Sequence, residues 1–270
     1  MSVLKDITLG QFFPGNTIIH KLDPRTKLIL VIVYIVALFT AKSYLSYAVV
    51  IVVFIACVVI SKIRLKSLVS GLKPILIIII ITAILNILFT RGGRVLAEFW
   101  KITITSEGVR IAAFMVIRLM LLIMGTFILT YTTSPISLTD GLERLLSPLK
   151  KLKVPVHELA MMMSIALRFI PTLIEETDKI MSAQKARGAD FETGGLIEKA
   201  KTLLPLLVPL FVSAFRRADE LAVAMESRCY HGGEGRTRMN VLTMKRRDWI
   251  ALALGAVFLA AIIVLARFGL

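Results

Sequence analysis

Five long apolar runs separated by basic segments constrain this chain more than any other feature. They are Leu28–Ala41, Tyr44–Ile60, Pro74–Phe89, Val109–Tyr131 and Trp249–Phe268. About 20 such residues cross the hydrocarbon core of a bilayer. The runs therefore read as membrane-spanning helices. Composition agrees: the 270-residue chain is 57% apolar, with a mean hydropathy of +0.81, where soluble domains hold roughly 45–50%. The first run is short for a span. Lys27 and Lys42, at its two ends, are expected to lengthen it by reaching opposite headgroup layers. The expected fold class is all-α: a polytopic membrane protein of about five transmembrane helices, with long amphipathic helices on its cytoplasmic side. No basic n-region, short apolar core and cleavage site stand at the start, so no removable signal peptide is expected.

The net charge of +15 does not point to nucleic acid, because no interleaving of aromatic and basic residues accompanies it. In a membrane protein it marks the cytoplasmic face. With the N-terminus inside, the cytoplasmic segments carry Lys5, Lys21, Arg25 and Lys27, then Lys62, Arg64, Lys66 and Lys73, then the many basic residues of 132–247. The opposite face keeps a handful, such as Lys42, Arg91, Arg94 and Lys101. Basic residues at this level also attract anionic membrane lipid. Residues 91–108 read as an external loop or short hairpin.

Three regions follow: 1–131 with the N-terminal tail and four spans, 132–247 as a cytoplasmic helical region, and 248–270 as the last span. The middle region is unlike a soluble domain. Ser137–Leu152 places Leu at 138, 142, 145, 146, 149 and 152, an amphipathic helical spacing. Ser137-Leu138-Thr139-Asp140 offers an N-terminal cap. A second helix is expected from about Val156 to Arg187 and a third from about Leu196 to Arg228. The apolar stretch Leu203–Phe215 is too short to span and contains Pro205 and Pro209. Such stretches suit a membrane surface.

Both long helices end on one pattern. Ala183-Gln184-Lys185-Ala186-Arg187-Gly188 and Ala224-Met225-Glu226-Ser227-Arg228-Cys229 each read Ala-x-x-small-Arg-small, 41 residues apart. Either one alone is a sensible helix end, since Arg complements the helix dipole and Gly accepts the left-handed turn. The pairing suggests two plugs for two sockets. Ala183, Ala186 and Ala224 remove bulk near each arginine, and a guanidinium offers a planar five-donor head to a partner carboxylate.

Other features read as structural. Arg118, inside the fourth run, is costly there; a hydrogen bond to backbone or to Asn86 accounts for it. Gly232-Gly233-Glu234-Gly235-Arg236 lacks the Gly-Lys-Ser/Thr ending of a phosphate loop and reads as a connector. Met161–Met163 read as adaptable packing. Cys57 and Cys229, and His20, His157 and His231, are too scattered for a metal site. No Asp or Glu falls within the five runs, which disfavours a self-driven transporter. No ATP-binding motif or catalytic constellation is present, so energy must come from a partner.

The residues now on the page resemble the T component of energy-coupling factor transporters, which are prokaryotic importers of the ATP-binding cassette class. The resemblance rests on Leu22-Asp23-Pro24-Arg25-Thr26-Lys27, on Leu167-Arg168-Phe169-Ile170-Pro171, on Ala183–Asp190 and on Ala222–Gly232, and covers nearly the whole chain. It implies a multi-pass protein of the prokaryotic cell membrane, with the N-terminus and coupling helices cytoplasmic. It implies a non-catalytic subunit without a cofactor of its own, ATP being bound by two cytoplasmic ABC ATPase subunits. It implies a membrane-embedded S component that captures a vitamin or other micronutrient. By resemblance Arg187 and Arg228 dock into the ATPases, with Ala183, Ala186 and Gly188 beside the first and Ala224, Ser227 and Cys229 beside the second. The second tag departs from Ala-Arg-Gly. Cys229 has a Cβ, so a different helix end is expected there. The alternative function is a substrate-translocating permease subunit of another ABC transporter.

Overall fold

A computed structural model describes residues 12–90, 92, 94–99, 102–189, 191, 195–233 and 241–268, with 96–99, 102, 103 and 196–202 described by backbone alone. The helices are α1 (Pro24–Thr40), α2 (Tyr44–Ser61), α3 (Leu65–Leu72), α4 (Leu76–Phe89), α5 (Ser106–Thr132), α6 (Pro135–Leu146), α7 (Val156–Ala186), α8 (Leu196–Glu226) and α9 (Arg246–Phe268), and strands β1 (Val95–Phe99) and β2 (Ile102–Thr105) lie between α4 and α5. The chain divides into two compact units, one formed by Gly10–Leu142 and Leu242–Leu270 and the other containing Glu143–Val241. The fold is all-α, apart from the antiparallel β1–β2 hairpin.

Among the described residues, five helices are long and apolar enough to cross a membrane: α2, the continuous Leu65–Phe89 helix, α5, α7 and α9. Two details differ from the runs read in the sequence. Pro74 does not start the third span; it sits in a 3₁₀ turn, Lys73–Ile75, that joins α3 to α4. A proline tolerates that turn because its missing N–H is one the tighter hydrogen-bond pattern frees. α1, with 17 residues, is replaced in the set by α7, whose 31 residues include a window low in charge. α1 nonetheless belongs to the first unit's bundle, packed against α2, α5 and α9.

α5 is the hub of that bundle and touches α1, α2, α3 and α4. Its core joins Ala37, Leu38, Val50, Phe54, Val58, Leu121, Tyr131 and Ile262. Outward faces are apolar too: Ile77, Ile78, Ile80 and Ile81 of α4 and Ile250, Leu254 and Val257 of α9 are exposed. A helix apolar all round is what a lipid solvent selects.

Polar ties at the helix ends set how these helices meet. Lys27 does not reach towards headgroups. It is buried, and its Nζ donates to the carbonyls of His20 (3.2 Å) and Thr132 (2.8 Å) and to Thr133 Oγ1 (3.2 Å). Thr132 ends α5, where the last helix carbonyls lack partners, so Lys27 serves as the C-cap of a neighbouring helix. The Asp23 carboxylate accepts from the Arg25 amide (2.9 Å) and guanidinium (2.8 Å), and Arg25 also donates to the Leu242 carbonyl (3.0 Å). The Asp23 amide donates to buried Asp248 (2.7 Å), whose other oxygen accepts the Lys245 amide at the start of α9 (2.8 Å). Burial pushes the Asp23 carboxyl upward, but its bonds from Arg25 outweigh this and hold it below the usual range. One motif thus binds together the starts of α1 and α9 and the end of α5. These three ends consequently lie on one side of the bundle.

At the other end of α1, Arg118 donates to the Ala41 carbonyl (3.1 Å) and the Tyr47 hydroxyl (2.9 Å), with its guanidinium 5.7 Å from the Phe39 ring centre. The structural reading of Arg118 stands, with a different partner from Asn86, which bonds to the Thr82 carbonyl of its own helix. Midway, the Tyr34 hydroxyl donates to the Leu121 carbonyl (2.9 Å), and a Cβ on Gly125 would collide with the Tyr34 ring. α1 and α5 are therefore antiparallel and tied at three levels.

Candidate functional site

The second unit presents the two arginine tags as helix ends. α6 leads into it. That helix is capped by Ser134, whose Oγ accepts the Ser137 amide (3.3 Å), rather than by Ser137 as its sequence suggested. A 3₁₀ turn, Ser147–Leu152, and Lys153 in the left-handed conformation then redirect the chain into α7. The start of α7 is held by His157, whose Nδ1 lies 3.0 Å from Glu143 Oε1. A Cβ on Gly233 would strike the same imidazole. Gly233 lies in the irregular stretch between α8 and α9 that the sequence suggested as a connector; 234–236 lie outside the described residues. His157 escaped the sequence reading because an isolated histidine carries no pattern.

α7 runs to Ala186 and Arg187 caps it. The Gly188 amide bonds to the Lys185 carbonyl (3.0 Å) and the Ala189 amide to the Gln184 carbonyl (3.0 Å), with Gly188 at φ +88°. This is the Schellman ending, in which a left-handed residue folds two amides back onto orphan carbonyls. α8 ends in the same way. The Cys229 amide bonds to the Glu226 carbonyl (2.9 Å) and the Tyr230 amide to the Met225 carbonyl (3.0 Å), with Cys229 at φ +56°. The expectation that Cys229 would end its helix differently is overturned. A residue with a Cβ accepts the left-handed conformation at a cost of about 1–2 kcal/mol, and two capped carbonyls offset it.

The two tips match in detail. Arg187 and Arg228 occupy the same position before the left-handed residue, with Ala183 and Ala224 one turn earlier and Ala186 and Ser227 immediately before. Ala183, Ala186, Arg187 and Gly188 are all exposed, as are Ala224, Ser227, Arg228 and Cys229, while Gln184 and Met225 are half-buried in both. Neither arginine has an ion-pair or side-chain hydrogen-bond partner among the described residues. Chemically, each tip is an exposed guanidinium on a rigid helix end, flanked by small side chains. Among the described residues no group of three or more His, Cys, Asp or Glu is placed to hold a metal ion.

α7 and α8 pack on each other and are joined by an ion pair from Arg217 to Glu176 at 2.8 Å. The sequence reading passed over both residues. Their signal was the 41-residue offset of the tags, which applies upstream as well. Away from the tips, Leu203, Leu204, Leu207, Val208, Phe211, Val212 and Phe215 leave α8 with an exposed apolar stretch, and Leu159, Met162 and Met163 do the same for α7.

A family model described as CbiQ, cobalt transport protein, matches residues 15–239. The chain belongs to the CbiQ family. Curated relatives narrow this membership. The energy-coupling factor transporter transmembrane protein EcfT of Clostridium kluyveri is 56% identical over 266 residues, 98% of each chain. That of Thermosediminibacter oceani is 56% identical over 248 residues, 92% of this chain and 93% of its own. That of Bacillus subtilis is 46% identical over 265 residues, 98% of this chain and all of its own. This CbiQ-family chain is a T component of an energy-coupling factor transporter, a multi-pass membrane protein of a transport-subunit family.

Proposed function

We propose that this T component is the non-catalytic coupling subunit of an importer, carrying motion from two cytoplasmic ABC ATPases to a membrane-embedded S component that captures a vitamin or other micronutrient. The observation that supports this reading is the pair of matched, exposed, arginine-bearing tips. Each tip offers a guanidinium to a carboxylate in an ATPase groove, and the small residues beside it permit close entry. Two sites of one design suit a two-subunit ATPase.

The N-terminus and the tips are cytoplasmic. The charge distribution supports this, since the side of the bundle that gathers the starts of α1 and α9 carries Lys21, Arg246 and Arg247. On this reading α7 and α8 lie along the membrane surface, although α7 is long enough to cross it. Their exposed apolar stretches face lipid and the S component. ATP is bound by the ATPases. When these close, the anchored tips follow, and the helices carry the movement to the S component as rigid elements.

The test is Arg187→Glu together with Arg228→Glu. The double variant should insert in the membrane normally, fail to co-purify the ABC ATPases and lose ATP-driven uptake. ATPases retained at the parent level would refute the docking reading.

A further inference from the structure

The arginine tips are the ends of a longer correspondence between α7 and α8. Glu176 and Arg217, joined at 2.8 Å, are 41 residues apart. Arg187 and Arg228 have the same separation. The ion pair thus links equivalent positions of the two helices, each 11 residues before its tip arginine. Eleven residues make about three full turns at 3.6 per turn, so tie and tip share one face of each helix, about 16 Å apart along the axis. Ser213 accepts from Arg217 Nε at 3.4 Å. Thr172 stands at the equivalent place in α7.

The same offset relates charges of opposite sign. Glu175 matches Arg216, Glu176 matches Arg217, Lys179 matches Glu220 and Lys185 matches Glu226; Asp178 and Asp219 are alike. Two copies of one helix that meet at equivalent positions bring identical side chains together. A charged copy would then repel itself, whereas a charge-inverted copy attracts its partner in one register and opposes slippage by a turn. The Glu176–Arg217 contact is where the structure realises this complementarity. An ion pair this exposed adds little to stability. What it supplies is register.

We propose that Glu176 and Arg217 form a pivot that holds α7 and α8 in one mutual register, and so presents the two arginine tips with equal arms to a two-subunit ATPase. The proposal rests on the docking reading of the tips. Attachment at two linked sites is strong only when their spacing fits the partner, so a tie that sets the spacing is a positioning device.

The test uses the full chain in lipid nanodiscs, spin-labelled at Cys229 and at Ala183→Cys in a Cys57→Ser background. The parent should show one narrow distance between tips. Glu176→Arg and Arg217→Glu should each broaden it, the milder Glu176→Gln should broaden it less, and the double reversal should narrow it again. All binding is read on the unlabelled chain with its native Ala183, Cys229 and Cys57: its dissociation constant for the purified ABC ATPase pair should rise at least about tenfold in each single reversal and return to within about threefold in the double. Single reversals that leave the distance unchanged, or a double reversal as broad as the singles, overturn the pivot. A parent that binds no ATPase overturns the docking reading, whatever the label distances show.

Discussion

The bundle and the α7–α8 unit solve the problem of helix ends in opposite ways. Three ends in the bundle are tied by side chains of other helices, while α2 closes on its own left-handed Lys62. Lys27 of α1 satisfies the end of α5, Arg118 of α5 satisfies the end of α1, and Asp248 of α9 takes the amide that precedes α1. In α7 and α8, each end caps itself through a left-handed residue and leaves its arginine exposed. A cap made by another helix fixes two elements against each other. A self-made cap stabilises the helix and keeps its tip available. The contrast teaches which charged groups hold the fold together and which stay exposed at helix tips. Lys27 donates three bonds within the fold and Arg118 two, so both charges beside or in apolar segments are held by internal partners.

The strongest way to break this contrast is Lys27→Met. It removes three donated bonds at a buried site and should destabilise the bundle by about 3 kcal/mol, measured by detergent-induced unfolding. Stability within about 0.5 kcal/mol of the parent would show that the end of α5 needs no cap from α1. Next comes Arg118→Met, which leaves the Ala41 carbonyl without that donor and should cost about 1.5 kcal/mol in the same assay. The tip variant Arg187→Glu with Arg228→Glu should by contrast shift stability by no more than about 0.5 kcal/mol, while abolishing ATPase co-purification. A large stability loss in that variant would erase the distinction. The smallest effect sharpens it: Cys229→Gly relieves the left-handed strain but loosens the unfolded chain, for a net local gain of about 0.5 kcal/mol. Slower hydrogen exchange at the Cys229 and Tyr230 amides would report it.

Much of the fold was legible in the chain. The runs Tyr44–Ile60, Val109–Tyr131 and Trp249–Phe268 match α2, α5 and α9 closely, because burial in lipid selects an apolar composition that needs no tertiary partner to be read. The hairpin between α4 and α5 was one of two readings offered for 91–108. The tags were legible as well, because Ala-x-x-small-Arg-small is a local pattern and a helix end is a local event. What could not be read were the partners of single charged residues. Lys27 looked like a snorkelling lysine because its stem permits that, and only the position of Thr132, more than a hundred residues away, shows where its charge goes. Asn86 was a reasonable guess for Arg118, since both lie in apolar runs, yet distance along the chain says nothing about which helices are neighbours. Cys229 misled in another way. Its Cβ argues against a left-handed turn, but the cost is small enough for two hydrogen bonds to override.

The chain by itself determined the apolar helices, the sign of its charge and the two arginine ends, because hydropathy, charge and helix capping act over a few neighbouring residues. Tertiary structure alone decided that Asp23, Arg25 and Lys27 bind three helix ends together, that Arg118 closes α1, and that Glu176 meets Arg217. Each of these depends on two distant segments arriving at the same place with matched donors and acceptors, and that coincidence is a property of packing.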